Sequence, residues 1–270
     1  MRRGRFVVVL GCLTWWAYLP GTSALAVTRA DELPSGIARG IVLTRYGSAD
    51  LGLIAAWEIL LAAGYTADDT SFLRPALMTF IRPGFSTDKG RAMQTSQQAR
   101  LLLPVLDLFI RAAPATAGSP RFVADLNELI VEVLSRYLNQ LELKCAHALA
   151  EKEKNGFHKW STRYLQVAAD FRKVISFCPE KAGLMAGLAV NQQQWTVLIA
   201  YAANCLERHQ KFTVQKIAGR LQALPGAGPG QEAAATTRSL VSAAPGLAGR
   251  IISLCTQVYQ RNLDADIGFE

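Results

Sequence analysis

Histidine is scarce in this 270-residue chain, with His147, His158 and His209 the three present. So few imidazoles exclude chemistry built on a histidine cluster. There is no Gly-x-Ser-x-Gly elbow, no His-Glu-x-x-His, no Cys-x-x-Cys and no glycine-rich phosphate loop. These gaps remove the readable signatures of serine hydrolases, zinc proteases, thiol oxidoreductases and nucleotide-binding enzymes. Apolar–polar alternation of the kind that marks strands is nearly missing, which excludes a β-sandwich or barrel. No period of 34 or 40 residues recurs, so a helical solenoid is excluded as well. Basic residues are interspersed with acids rather than clustered, so no nucleic-acid-binding face is expected.

The N-terminus supplies a clear pattern. Arg2, Arg3 and Arg5 precede the apolar run Phe6–Leu19, then Pro20-Gly21 and the small-residue site Ala24-Leu25-Ala26. This is the layout of a signal peptide, with cleavage expected after Ala26. The chain carries 29 Lys+Arg against 21 Asp+Glu, a net charge of +8. Removing residues 1–26 takes three arginines and no acid, which leaves +5 on the mature chain. Part of the basicity therefore belongs to targeting. A secreted or secretory-pathway location is expected.

Export makes the cysteines informative. Four remain after cleavage, Cys145, Cys178, Cys205 and Cys255, all in the second half. An even number in an oxidising compartment suggests two disulfides, and these four are the disulfide candidates. A straight hairpin stack does not bring them together readily. At about 1.5 Å per residue, Cys145 lies about 16 Å and Cys178 about 34 Å below the corner near residue 155. Bonded cysteines need Cα atoms within about 7 Å. The connectivity stays open, with free thiols as the remaining option and Cys145 read as a half-cystine or a plain core thiol.

Nearly every other segment reads as helix, giving an all-α fold: an irregular bundle of about six to eight helices. Residues 27–270 are expected to form one helical domain, with a Gly/Pro-rich loop at 225–236. "GIVLTRY" near residue 40 is the single segment with a rival strand reading. "SADLGLIAAWEILLAAG" offers Ser48 as N-cap and Gly64 as stop. The segment through Pro83-Gly84 is a shorter helix. The next helix has Ser86, Thr87 or Asp88 as cap and should kink at Pro104. "PATAGSP", Pro114 to Pro120, reads as a loop, with Ser119-Pro120 starting the following helix. That helix has the clearest periodicity: Leu126, Ile130, Val133, Tyr137, Leu141, Cys145 and Ala148. Its charged residues mostly fall elsewhere, which predicts one buried face. A last helix is expected over about Thr237 to Asn262, ahead of an acidic tail.

"CAHALAEKEKNGFHKW", Cys145–Trp160, gathers cysteine and histidine in one place. Cys145 and His147 are two residues apart, so on a helix they point about 200° from each other and cannot chelate one ion. The stretch reads as a helix–turn–helix corner, with Asn155-Gly156 ending the first helix. The second carries the stripe Trp160, Tyr164, Val167, Phe171, Val174 and Cys178. Glu151 and Glu153 read as an ordinary charged helix end. No metal site, cofactor or catalytic residue is assigned.

Ala182–Leu206 is a run of 25 residues without charge, long enough to span a bilayer. Asn191, Gln192, Gln193 and Gln194 at its centre would be costly in hydrocarbon. A buried helix facing inward through Leu184, Leu188, Trp195, Leu198 and Cys205 is the favoured reading.

These features together predict a secreted, non-catalytic helical protein that binds a protein partner, of the antigen or effector kind. An alternative is a carrier of a lipid or small apolar ligand, which a large cavity near Trp195 and Phe171 would favour. In outline, with a signal peptide, a helical body, four mature cysteines and no enzyme motif, the chain resembles the rhoptry-associated protein 1 group of piroplasm parasites. That resemblance implies a secretory-organelle protein that helps the parasite enter host cells, and it transfers no site residues.

Overall fold

The structure is a computed structural model that describes residues 33–63, 89–177, 182–217, 220 and 246–264. Seven α-helices and no strand occur among the described residues, so the fold is all-α. They are α1 (Leu33–Tyr46), α2 (Leu51–Ala62), α3 (Lys89–Thr116), α4 (Pro120–Ala150), α5 (Lys154–Ile175), α6 (Ala182–Glu207) and α7 (Leu247–Tyr259). The leader at 1–26, the helix ending at Pro83-Gly84, the caps at Ser86–Asp88, Cys178, the loop at 225–236 and the tail beyond Asp264 lie outside the described residues. So do the first part of the expected last helix and the side chains of Leu184, Leu188, Asn191 and Gln192.

Local chemistry explains most of the helix ends. "GIVLTRY" resolves as helix within α1. Asp50, rather than Ser48, caps α2, its carboxylate accepting from the Leu53 amide at 2.9 Å. Ser48 instead accepts from the Asp50 amide at 3.2 Å, one step further out. The α3 helix runs through Pro104 and also through Pro114, so the expected loop shrinks to residues 117–119. Ser119 caps α4 as expected, accepting from the Phe122 amide at 3.3 Å, with Pro120 in the first turn.

The α4 helix organises the molecule. It packs against α3 on one side, α5 on another and α7 on a third. All seven residues of its predicted stripe are buried. The single-face expectation needs correction, because Asp125, Glu128, Glu132, Arg136, Asn139 and Glu142 are buried too. A helix surrounded on several sides has no solvated face for its polar residues, so they must pair internally. Arg136 and Glu132 do so one turn apart on the same helix.

The aromatic core sits where α1, α3 and α4 meet. The Tyr46 ring meets Phe109 edge-on at 6.1 Å and Phe122 edge-on at 5.7 Å, while Phe109 and Phe122 stack at 5.6 Å. Such pairs add about 0.5–1.5 kcal/mol each beyond the area they bury. On α5, Tyr164, Val167, Phe171 and Val174 are buried as predicted, and Trp160 is partly so. Trp195, Leu198 and Cys205 of α6 face inward, while Gln193 is exposed. Among the described residues, no helix is long and apolar enough to cross a membrane.

Candidate functional site

The Cys145–Trp160 stretch is a corner between two helices, but the turn comes earlier than its sequence suggests. The α4 helix ends at Ala150, and α5 begins at Lys154. Asn155-Gly156 therefore belongs to the first turn of α5. The left-handed residue past the helix end is Lys152, at φ 57°. The amide of Glu153 closes the end by donating to the Ala148 carbonyl at 2.8 Å. Gly156 has a different role: a Cβ there would meet the Glu153 carboxylate at 2.6 Å.

The end of α6 repeats this geometry. His209 is left-handed at φ 53°, and the Gln210 amide donates to the Cys205 carbonyl at 2.8 Å. A side chain in this conformation costs about 1–2 kcal/mol, and glycine is the usual occupant. Two such residues border one pocket of about 380 Å³. Leu149, Leu206 and Phe212 give it an apolar wall, and Lys152, His209 and Lys211 bring polar and cationic groups. No carboxylate lines it. The segment after α6 is held over the wall by Phe212, whose ring lies 5.6 Å from that of Tyr201. A hydrogen bond with the Cys205 side chain holds the Tyr201 phenol above its usual pKa.

Two charged hubs lie elsewhere. Asp125 accepts from Arg45 Nε at 2.5 Å and Arg45 Nη2 at 3.0 Å, and from the Tyr46 hydroxyl at 2.9 Å. Arg121 Nε approaches Oδ1, the oxygen that also accepts from Arg45 Nη2, at 3.1 Å. The Trp57 indole donates to the Tyr46 hydroxyl at 3.2 Å, which adds α2 to the network. Burial raises the Asp125 carboxyl to a pKa of about 6, against the opposing pull of Arg45. Burial likewise pushes the Tyr46 phenol well above its ordinary value.

Asp170 is the second hub. It accepts from Arg261 at 2.9 and 2.6 Å and from the Asn262 amide at 2.8 Å. Arg163 donates to the carbonyls of Arg261 and Asn262 at 3.2 and 3.1 Å. These bonds fasten the π-helical turn Gln260–Asp264 to α5. The long-range partners in neither hub had a local signal in the sequence, since Arg45 and Tyr46 lie 80 and 79 positions from Asp125 and Arg261 lies 91 from Asp170, whereas Arg121 is one helical turn from Asp125.

The cysteines do not follow the expectation of two disulfides. Cys145, Cys205 and Cys255 are buried thiols, and Cys178 lies outside the described residues. Cys255 donates to Asn127 Oδ1 at 4.0 Å. Cys145 packs with Ala148, Phe157, Ala202 and Leu206, and burial followed by the Glu142 charge raises it to a pKa of about 12. It is a core thiol. His147 and His158 are exposed on either side of the corner. No group of three or more potential metal ligands occurs among the described residues. Trp195 and Phe171, where a carrier would need a cavity, are packed in the core, with the Tyr164 ring 4.7 Å from Trp195.

The architecture thus defines an all-α domain built around a central helix with buried, internally paired charges. The chain belongs to the alpha-N-acetylglucosaminidase (NAGLU) C-terminal domain family, whose model matches residues 40–182, just over half of it. No curated protein and no solved structure matches the chain significantly. The family corrects the functional expectation. A glycosidase-related family replaces the non-catalytic binder, the carrier and the parasite protein for entering host cells.

Proposed function

We propose that this protein takes part in the hydrolysis of glycosides bearing α-linked N-acetylglucosamine, as the helical part of a glycosidase-related protein. The family match carries this reading. It runs from within α1 to the start of α6, and so takes in the Asp125 hub and all of α4 and α5. Glycoside hydrolysis uses two carboxyl groups across the scissile bond. Asp125, Glu132 and Asp170 are each engaged by arginine, which suits them to holding helices in place.

The test measures release of nitrophenol from 4-nitrophenyl α-N-acetylglucosaminide, alongside calorimetric binding of N-acetylglucosamine. The full chain is assayed alone and mixed with a glycosidase catalytic domain, with the corresponding glucoside as control. Turnover by the chain alone places the acid–base pair within it. Turnover that rises only in the mixture assigns it a supporting role. Neither turnover nor saturable binding above the glucoside control, in either setting, overturns the reading.

We also infer export through the secretory pathway, on the strength of the basic, apolar and Ala-x-Ala segments of residues 1–26. Burial of three thiols suits such a compartment, because a thiol enclosed in the core is out of reach of disulfide exchange. An intact mass that retains residues 1–26 on the protein recovered outside the cell would refute cleavage.

A further inference from the structure

We propose that the pocket between the α4–α5 corner and the end of α6 binds a small amphipathic organic anion, with an aromatic or short-chain body and a carboxylate or sulfonate head. This goes beyond the glycosidase reading and does not depend on it, since the Cys205–Phe212 wall lies outside the family match.

Three observations converge. The volume, about 380 Å³, lies within the range of small-molecule sites and is too small for a diacyl lipid. Its chemistry is divided, with Leu149, Leu206 and Phe212 offering apolar surface while Lys152 and Lys211 supply charge of one sign. Both lysines are exposed, and among the described residues neither makes an ion pair. Neighbouring acids Glu151, Glu153 and Glu207 are exposed but do not line the pocket.

The third observation is the backbone. Two helices end at the rim, and each does so through a non-glycine left-handed residue, Lys152 and His209. Their terminal amides already satisfy the Ala148 and Cys205 carbonyls. Those two carbonyls therefore do not compete with a ligand for the lysines. Strained residues of this kind tend to sit where a side chain must be presented at a fixed place. Here both Lys152 and His209 line one cavity.

The probe is 8-anilinonaphthalene-1-sulfonate, an aromatic anion whose fluorescence rises on leaving water. Titration of the full chain should saturate at one site. The double variant Lys152→Gln, Lys211→Gln should weaken the probe about tenfold, each exposed charge contributing a few-fold. Binding of neutral N-phenyl-1-naphthylamine should be unchanged, and circular dichroism should show the same helix content and melting temperature. Ala150→Trp, placed on the pocket wall, should block both probes. The proposal is overturned if the sulfonate does not saturate, or if it binds the double variant as well as the parent. Equal binding of both probes to parent and Ala150→Trp chains also overturns it, since the site would then lie elsewhere.

Discussion

Asp125 is the residue on which acid chemistry and stability meet. Its carboxyl is raised from 3.8 to about 6 because burial penalises the charged form more than Arg45 favours it. The folded state therefore holds the proton more tightly than the unfolded one. Stability from this group is complete below about pH 4 and is lost as the pH rises through about 6. The melting temperature should fall between pH 4 and pH 7, on the order of 2 kcal/mol being at stake. Asp125→Asn mimics the protonated side chain and should flatten that slope in a thermal scan. A parent chain that gains stability from pH 4 to pH 7 contradicts the assignment. Asp125→Ala is a harsher change. It leaves Arg45 and Arg121, with side chains 8% and 12% exposed, without their carboxylate. A cost of about 3–5 kcal/mol is expected in denaturant unfolding. Lys152 illustrates the opposite balance. Lys152→Gly relieves the left-handed conformation and should stabilise by up to about 1 kcal/mol, while weakening the sulfonate probe. Stabilisation with unchanged probe binding would detach the strain from the pocket.

Helices were legible where periodicity and caps agreed, and less so where tertiary packing decided. Ser119-Pro120 and the α4 stripe could be read because a cap and a 3.6-residue period are local properties. Pro114 misled because a proline usually ends a helix, yet α3 continues to Thr116. The corner misled for a related reason. Asn155-Gly156 carries the composition of a helix stop, but the chain turns at Lys152, and Gly156 lies beneath the Glu153 carboxylate instead. Gly156→Ala separates the two readings. At the end of a helix with positive φ, alanine would be strained. Within the first turn of α5 it should be neutral or stabilise by up to about 1 kcal/mol, because alanine is the better helix former and the exposed Glu153 side chain can swing aside. A loss of more than 1 kcal/mol in chemical denaturation would mean that the Glu153 contact itself holds the corner. The long-range halves of the hubs at Asp125 and Asp170 were not legible, since nothing local in a sequence pairs Arg45 with Asp125 or Arg261 with Asp170; the i,i+4 spacing of Arg121 and Asp125 is their local part.

At the scale of the whole molecule, the all-α class followed from missing alternation and abundant caps, whereas the glycosidase family did not, because no compact motif marks it. The cysteines expose the same limit. An even count suggested cross-links, but the core that α4, α6 and α7 help to build is large enough to enclose Cys145, Cys205 and Cys255 as thiols. Their exposures of 1%, 2% and 0% make them reporters on three helices. A thiol reagent in excess should leave all three unmodified in the native chain over hours and modify all three once denaturant is added. Because each is enclosed by packing from other helices, the three should become reactive over the same denaturant range, following the loss of helix by circular dichroism. Peptide mapping after timed labelling reads each site separately. Labelling of Cys205 well before Cys145 and Cys255 would show that the end of α6 opens on its own, and the pocket would then be a separately melting edge of the fold. Coincident labelling would instead tie the pocket wall to the same cooperative unit as the central helix.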